Sequence, residues 1–464
     1  MTPIRVATVS LLLLLPAAVW AGGFTIIEVG SQKTGMMTGI GKPDDLSAVY
    51  HNPAGLASQH GTRIHLSSGF SFVDATIRMK AWPSETGEPL DGNYGSEDFI
   101  EDRVDRDGYF VGKIKPTRYF GAMPMLVASS DFGYEKGPVV AFSFYVPDFI
   151  GAFLPDDTPA RYAVVEGYFT AGVMSFSAGY RLPGSLDWLD VGVSAGLLYV
   201  RIEGKRWQNF PILLDNNTDV IIRMVGEDYR PWWNAGIVAR PIPKLSLGLS
   251  FIGGADVALK GRLDISLPAG WEDDPLTKSL VDAGWLYEGR FGMTQHMKVP
   301  YGIAAGINYE IIPELEVAFD FRYWLYHTFE EQRIDHNIDI SIREGEPAIE
   351  SPIIIPKEYE DSWTVSLGFL TRPFPFPLEL MCGGTYDHSP APSHTKSLDS
   401  PTVNLAGFSL GARYLLDDTW RFSLTYYHYW YLKDTIDDSI LDPPQNAIFE
   451  GCVDTVSVQV EVIL

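Results

Sequence analysis

The sequence predicts an all-β fold: a transmembrane antiparallel β-barrel of about fourteen strands, with an N-terminal hatch, or plug, in its lumen. Three observations carry this. From Arg63 onward, runs of residues alternate between an apolar and a polar face. The connections between those runs alternate between short and long, and residues 22–61, ahead of the first run, do not alternate at all.

The chain of 464 residues opens with Arg5, an apolar run centred on Leu11 to Leu15, Pro16 and the small-residue pattern Val19-Trp20-Ala21. This is the pattern of a secretory signal peptide cleaved after Ala21, and its apolar part is shorter than the ~20 residues that a helix needs to span a bilayer. Residues 1–21 are therefore expected to be the signal peptide, 22–61 the plug and 62–464 the barrel.

The plug begins Gly22-Gly23-Phe24-Thr25-Ile26-Ile27 and passes through Gly30, Gly35, Gly39 and Gly41 to Asp44-Asp45. Those two acids are good capping residues for a short helix through Leu46 to Tyr50. Asn52 can cap a second turn, Ala54 to Ala57, with Pro53 in the first helical position, where a missing N–H costs nothing. Asn52, Pro53 and Ala54 thus form a rigid corner. A segment this short cannot fold alone, and the lumen of the barrel that follows is the place for it to pack.

Strands are expected near 62–80, 116–131, 136–149, 161–182, 186–205, 218–241, 243–266, 297–310, 313–329, 361–372, 377–388, 402–415, 418–432 and 451–464. The clearest is the last, where Val456, Val458, Val460, Val462 and Leu464 alternate with Ser457, Gln459 and Glu461. Long connections fall at 81–115, 148–160, 206–217, 267–296, 330–360, 389–401 and 433–450, and tight turns between them near Asp131 to Glu135, Pro183-Gly184, Pro241-Ile242, Ile311-Ile312, Pro373-Phe374 and Asp417-Asp418. Short turns on one side and long loops on the other are how an outer-membrane barrel is built, and strands in a bilayer must close on themselves. Trp188, Trp232, Trp233, Trp363, Trp420 and Trp430 fall near strand ends, where aromatic girdles meet the membrane interface. A soluble β-sandwich shares the alternation but explains neither the loop asymmetry nor the tryptophans.

The formal charge of −24 excludes nucleic acid as a partner. The acid is concentrated in the long connections, as in Glu272-Asp273-Asp274, which are read as solvated loops that divalent cations can bridge to lipopolysaccharide. Asp102, Asp105 and Asp107 before Gly108 match no standard calcium-loop spacing, so no metal and no cofactor is expected. The two cysteines, Cys382 and Cys452, exclude a disulfide framework and are expected to be free thiols.

Several fragments resemble one family. They are Gly23-Phe24 with Glu28, the glycines leading to Asp44-Asp45, Asn52-Pro53-Ala54, Trp233-Asn234-Ala235-Gly236-Ile237, Lys244-Leu245-Ser246-Leu247-Gly248, and Tyr386-Asp387-His388-Ser389-Pro390-Ala391-Pro392. Together and in this order the chain resembles the outer-membrane long-chain fatty-acid transporters, which also include toluene and xylene uptake channels. The resemblance implies a fourteen-stranded barrel with a plug as hatch. It implies a hydrophobic ligand captured between two long extracellular loops, held in an inner pocket, and released without an energy source through a lateral opening in the wall.

On that basis the third and fourth long loops are expected to meet the ligand. They carry Trp207, Phe210, Ile212, Leu213 and Leu214, then Trp271, Leu276, Leu280, Trp285, Leu286, Phe291 and Met293, too apolar for ordinary exposed loops. Phe24, Ile26 and Ile27 would form the hatch side of the inner pocket. Arg201 matches an arginine in the family's fifth strand, and Lys205, Arg206 and Arg333 are the other candidates to meet a carboxylate. The third strand, Val139 to Val146 (VVAFSFYV), lacks the glycines at which the family's wall kinks open, which counts against a lateral opening. The expected partners are a fatty acid or hydrocarbon, membrane lipid and lipopolysaccharide, with the protein acting as a monomer. The rival readings are a general porin, which the plug and apolar loops oppose, and a lipid-modifying enzyme using His388-Ser389, His428 or His327.

Overall fold

A computed structural model describes residues 33–81, 99, 103–117, 120–208, 219–283, 286, 288–338, 341–343, 346–347, 351–400 and 402–464. Phe24, Ile26, Ile27, Phe210, Leu213 and Trp285 lie outside them.

Fourteen antiparallel strands close into a barrel. They are β1 Arg63–Met79, β2 Phe120–Ser130, β3 Val139–Phe153, β4 Glu166–Arg181, β5 Leu189–Gln208 and β6 Val220–Ile242. β7 runs in two pieces, Leu245–Ile252 and Ala255–Ser266, as do β8 (Gly289–Val299, Gly302–Ile312), β9 (Leu315–Trp324, Glu331–His336) and β10 (Ile353–Pro356, Ser362–Thr371). β11 Leu378–Asp387, β12 Leu405–Leu415, β13 Trp420–Ile436 and β14 Ala447–Ile463 complete the wall. β1 pairs with β2 from Arg63↔Ser129 to Phe72↔Phe120, and with β14 from Arg63↔Ile463 to Met79↔Ala447. First strand meets last, so the sheet closes on itself and no terminal strand is left as a free edge.

The alternation is inside out relative to a soluble protein. On β14, Val456 and Val458 are exposed while Ser457, Gln459 and Glu461 are buried. The same holds for exposed Phe176 on β4 against buried Ser175 and Ser177. A bilayer takes the apolar face, and the polar face turns to a filled lumen. Trp188, Trp233, Trp420 and Trp430 stand exposed on the outside, as expected of a girdle. Trp232 does not: it is buried, and its ring meets Tyr145 edge-on at 6.0 Å. Its even number on β6 puts it on the lumen face, and nearness to a strand end could not reveal that.

Strands β8 to β10 reach further into the long connections than expected, because Met293, Ile334, Ile353 and Ile355 continue the wall there. Cys382 and Cys452 are free thiols.

The wall is interrupted between β2 and β3. Their ladder runs only from Ser130↔Val140 to Met125↔Tyr145. The next pairs in register would set Pro124 against Val146 and Met123 against Pro147, and prolines have no N–H to give. β3 bulges there and continues from Asp148 to Phe153 paired with β4 alone. The seam is rejoined where Thr117 N donates to Phe153 O at 2.7 Å. Absence of glycine therefore did not keep this wall intact. The kink rests on proline instead, and Met123, Val146 and Tyr168 pack together beside it.

Candidate functional site

The lumen holds the plug. Its helix is Ala48–His51, starting two residues later than expected, with Ser47 as N-cap; Asp45 instead accepts from Ser47 N at 2.9 Å. The second turn is a 3-10 helix, Pro53–Ser58, and here the corner is as expected: Asn52 Oδ1 accepts from Ala54 N at 3.2 Å, with Pro53 in first position. The same side chain donates through Nδ2 to Ile40 O and to Ile237 O on β6, both at 3.1 Å, and to Leu249 O on β7 at 3.4 Å.

The wall is shaped to receive this corner. Gly179, Gly192 and Gly236 are cross-strand neighbours on β4, β5 and β6. A side chain at any of them would overlap the plug: Leu56 and Ala57 at Gly179, Pro53 and Ala54 at Gly192, Asn52 at Gly236. Around the ring, Asn234 Nδ2 donates to Tyr50 O at 2.7 Å, Ser246 Oγ to Gly41 O at 2.6 Å and Ser409 Oγ to Gly35 O at 2.8 Å. Asp320 on β9 accepts from Gly39 N at 2.6 Å and Ile40 N at 3.0 Å. The fragment Trp233 to Ile237 seats Asn52 and Pro53 through Gly236, and Lys244 to Gly248 seats Ile40 and Gly41 through Ser246 and Gly248.

On the long-loop side of the plug lies a cavity of about 590 Å³. Its lining is mainly apolar, with Phe169, Ile202, Ile222, Ile265, Met297 and Phe329 among the walls. Phe169, Met297 and Phe329 also belong to the core cluster that contains Leu46, Val49, Tyr50 and Leu56 of the plug. The cavity floor is thus continuous with the packing of the plug. At the mouth, Asp274 caps the helix Pro275–Asp282 by accepting from Thr277 N at 2.7 Å. Trp271, Leu280, Leu286 and Phe291 pack there against Ile222, Leu263, Ile265 and Ile334. Trp271 and Phe291 therefore sit one layer behind the cavity wall.

Charge enters at two points. Arg206 lines the cavity and faces Asp399 and Asp442. Lys357, nearly fully buried, donates through Nζ to Ser397 Oγ at 3.0 Å and stands 3.8 Å from Asp399 Oδ1. Burial pushes the Asp399 carboxyl up, but Lys357, Ser397, Ser400 and Arg206 outweigh it and hold the group below the usual carboxylate range. Gln295 is the remaining buried polar group of interest, on the lumen face of β8 between Met293 and Met297.

Two expected carboxylate contacts stand elsewhere. Arg201 shares the face of β5 with exposed Val193 and Leu197 and pairs there with Glu203 at 3.3 Å and Glu227 at 3.7 Å. Arg333 alternates with the cavity residues Gln332 and Ile334, so it faces outward, paired with Asp335 at 2.9 Å. Lys205 lies 4.0 Å from Glu166. Of the four expected cations, Lys205 and Arg206 are among the residues that line the cavity. Lys357 and Gln295 went unnoticed because both fall in stretches read as loop, 330–360 and 267–296. The period-two run Met293, Gln295, Met297 was the signal that could have found Gln295.

The histidines weighed for catalysis are held by other groups. His327 pairs with Asp361 at 2.6 Å, His388 stacks on Trp363, and Ser389 Oγ donates to Thr402 O at 3.1 Å. His428, Cys452 and Asp454 bring donor atoms within 4.8 Å of one another on the outer wall. There Asp454 is already bonded by Tyr426 and His428. Asp105 is likewise occupied, by Arg78 and by the N–H groups of Asp107 and Tyr109.

Comparison with known proteins agrees with this arrangement. Residues 12–451 match the family model described as outer membrane protein transport protein (OMPP1/FadL/TodX). Among solved structures, a FadL homologue of Pseudomonas aeruginosa aligns with TM-score 0.77 at 15% identity, over 95% of this chain and 99% of that one. The toluene transporter TbuX of Ralstonia pickettii aligns with TM-score 0.60 at 14% identity, over 96% and 99%. TodX, the toluene transporter of P. putida, aligns with TM-score 0.63 at 13% identity, over 94% and 98%. These likenesses are of fold. No curated protein sequence matches. The match over nearly the whole chain and the closed, plugged barrel lead to one conclusion: the chain belongs to the OMPP1/FadL/TodX family of outer-membrane transport proteins, channels for hydrophobic compounds and not enzymes.

Proposed function

We propose that this protein carries fatty acids or related hydrocarbons passively across the outer membrane, by capture at the long loops, transfer to the lumen cavity and hatch-gated release. The observation that carries the reading is the cavity of about 590 Å³, apolar in most of its lining, set between an apolar mouth and the plug. Lipopolysaccharide hinders apolar solutes, and a dry pocket behind a greasy entrance offers them a lower-energy path. Trp271, Phe291, Phe210, Leu213 and Trp285 are proposed as the capture surface. Phe24, Ile26 and Ile27 are proposed as the plug's contact with the ligand, and Asn52, Pro53 and Ala54 as the corner of the hatch that gates release.

Similar solved structures are a monoaromatic hydrocarbon channel and toluene transporters, which supports small apolar cargo. The interruption between β2 and β3 supports a lateral exit beside Met123, Val146 and Tyr168. The test is uptake into liposomes holding the purified protein. Labelled fatty acid or alkylbenzene is expected to enter faster than into empty liposomes; equal rates would overturn the proposal.

A further inference from the structure

The cavity contains a polar group that the chain leaves unmatched. Gln295 is fully buried, and neither its Oε1 nor its Nε2 meets a hydrogen-bond partner among the described residues. Its cross-strand neighbours are Leu259 on β7 and Ile334 on β9, and its neighbours along the lumen face are Met293 and Met297. None can donate through its side chain, and only the methionine sulfurs can accept, weakly. Gln295 is one of the residues that line the cavity, so a ligand that enters comes beside it. Burying an amide without a partner is costly, so a leucine or methionine would suit the empty protein better.

Charged groups also line the cavity. Arg206 faces Asp399 and Asp442, Lys205 stands beside Glu166, and Lys357 is held by Ser397, Ser400 and Asp399. Gln295 adds a neutral donor and acceptor to the greasy part of the wall.

We propose that Gln295 is a specificity-determining residue that selects, among the apolar ligands of this channel, those bearing a hydroxyl or amide over plain hydrocarbons. The proposal rests on the transport reading above and names its substrate class. A hydroxyl can accept from Nε2 or donate to Oε1, and a hydrocarbon can do neither. The site built to hydrogen-bond then rejects the analogue that lacks the group, because the amide stays unpaired.

The experiment is equilibrium binding to the purified full chain with three probes of one shape: pentylbenzene, para-pentylphenol and para-pentylbenzoate. The phenol is expected to bind about tenfold more tightly than pentylbenzene, equivalent to about 1.4 kcal/mol. Gln295→Leu is expected to erase that preference while keeping pentylbenzene binding, which also reports that the variant is folded; Gln295→Met is the second variant should the first fail to fold. A phenol preference unchanged in the variants would overturn the role of Gln295 and leave the cavity reading standing. A loss of benzoate affinity in Gln295→Leu that matches or exceeds the loss for the phenol would overturn the assignment to hydroxyl and amide. Binding of none of the three would overturn the transport reading with it.

Discussion

Asn52 does three jobs with one amide. Its oxygen caps the Pro53 turn, and its nitrogen reaches one carbonyl of the plug and two of the wall. It is fully buried, so Asn52→Ala removes the cap and the bonds to Ile40, β6 and β7, a loss of about 2–4 kcal/mol from the cap and buried bonds together. The expected outcome in planar bilayers is a higher conductance to small ions with the barrel still folded. Asn52→Asp is expected to do the same or worse, since a carboxylate cannot donate to those carbonyls. Gly236→Val tests the other side of the joint, because its side chain would overlap Asn52, and the same rise in conductance is expected. The cap was legible in the sequence, because Asn-Pro is a local signal read over three residues. The wall contacts were not, because they join positions about two hundred residues apart.

Asp399 gives a residue-scale dependence on pH. Its folded pKa lies below the ordinary value, so the ionised form contributes stability above the unfolded carboxylate range, and that contribution is lost as pH falls through the lower folded value. The connection between β11 and β12 is therefore expected to stay protected from proteolysis at neutral pH and to open only in strong acid. Asp399→Asn should bring that opening to neutral pH, read by cleavage rate.

Elements show where periodicity suffices and where it fails. The short turns were placed well because glycine, proline and aspartate mark them locally. Strand ends beside the long loops were drawn too early at β8 to β10, since an apolar strand tip resembles an apolar loop. Arg201 was chosen by likeness of position, although counting by twos from Val193 and Leu197 puts it on their outward face. β3 was searched for glycine, and the break came from Pro147 and, across the seam, Pro124. Pro147→Ala would return an N–H where the ladder now stops. If the gap is the exit, this variant should bind ligand as the wild type does and deliver it more slowly to liposomes; an unchanged delivery rate would place the exit elsewhere.

For the whole molecule, the barrel class and its inside-out alternation were legible because a membrane imposes period two on every strand and asymmetry on the connections. The cavity was not, because its lining is drawn from strands and loops spread over the chain from Ala163 to Gln445. The ring of close approaches between plug and wall also constrains how the protein comes into being. The corner at Asn52 is gripped by β4, β5 and β6, while Gly35 and Met36 press on β10, β11 and β12 across the lumen. Nothing so tightly held on opposite sides could be threaded into a finished cylinder. The strands must gather around a segment already in position, and the joining of β1 to β14 is then the last stitch, so this barrel is wound about its own stopper.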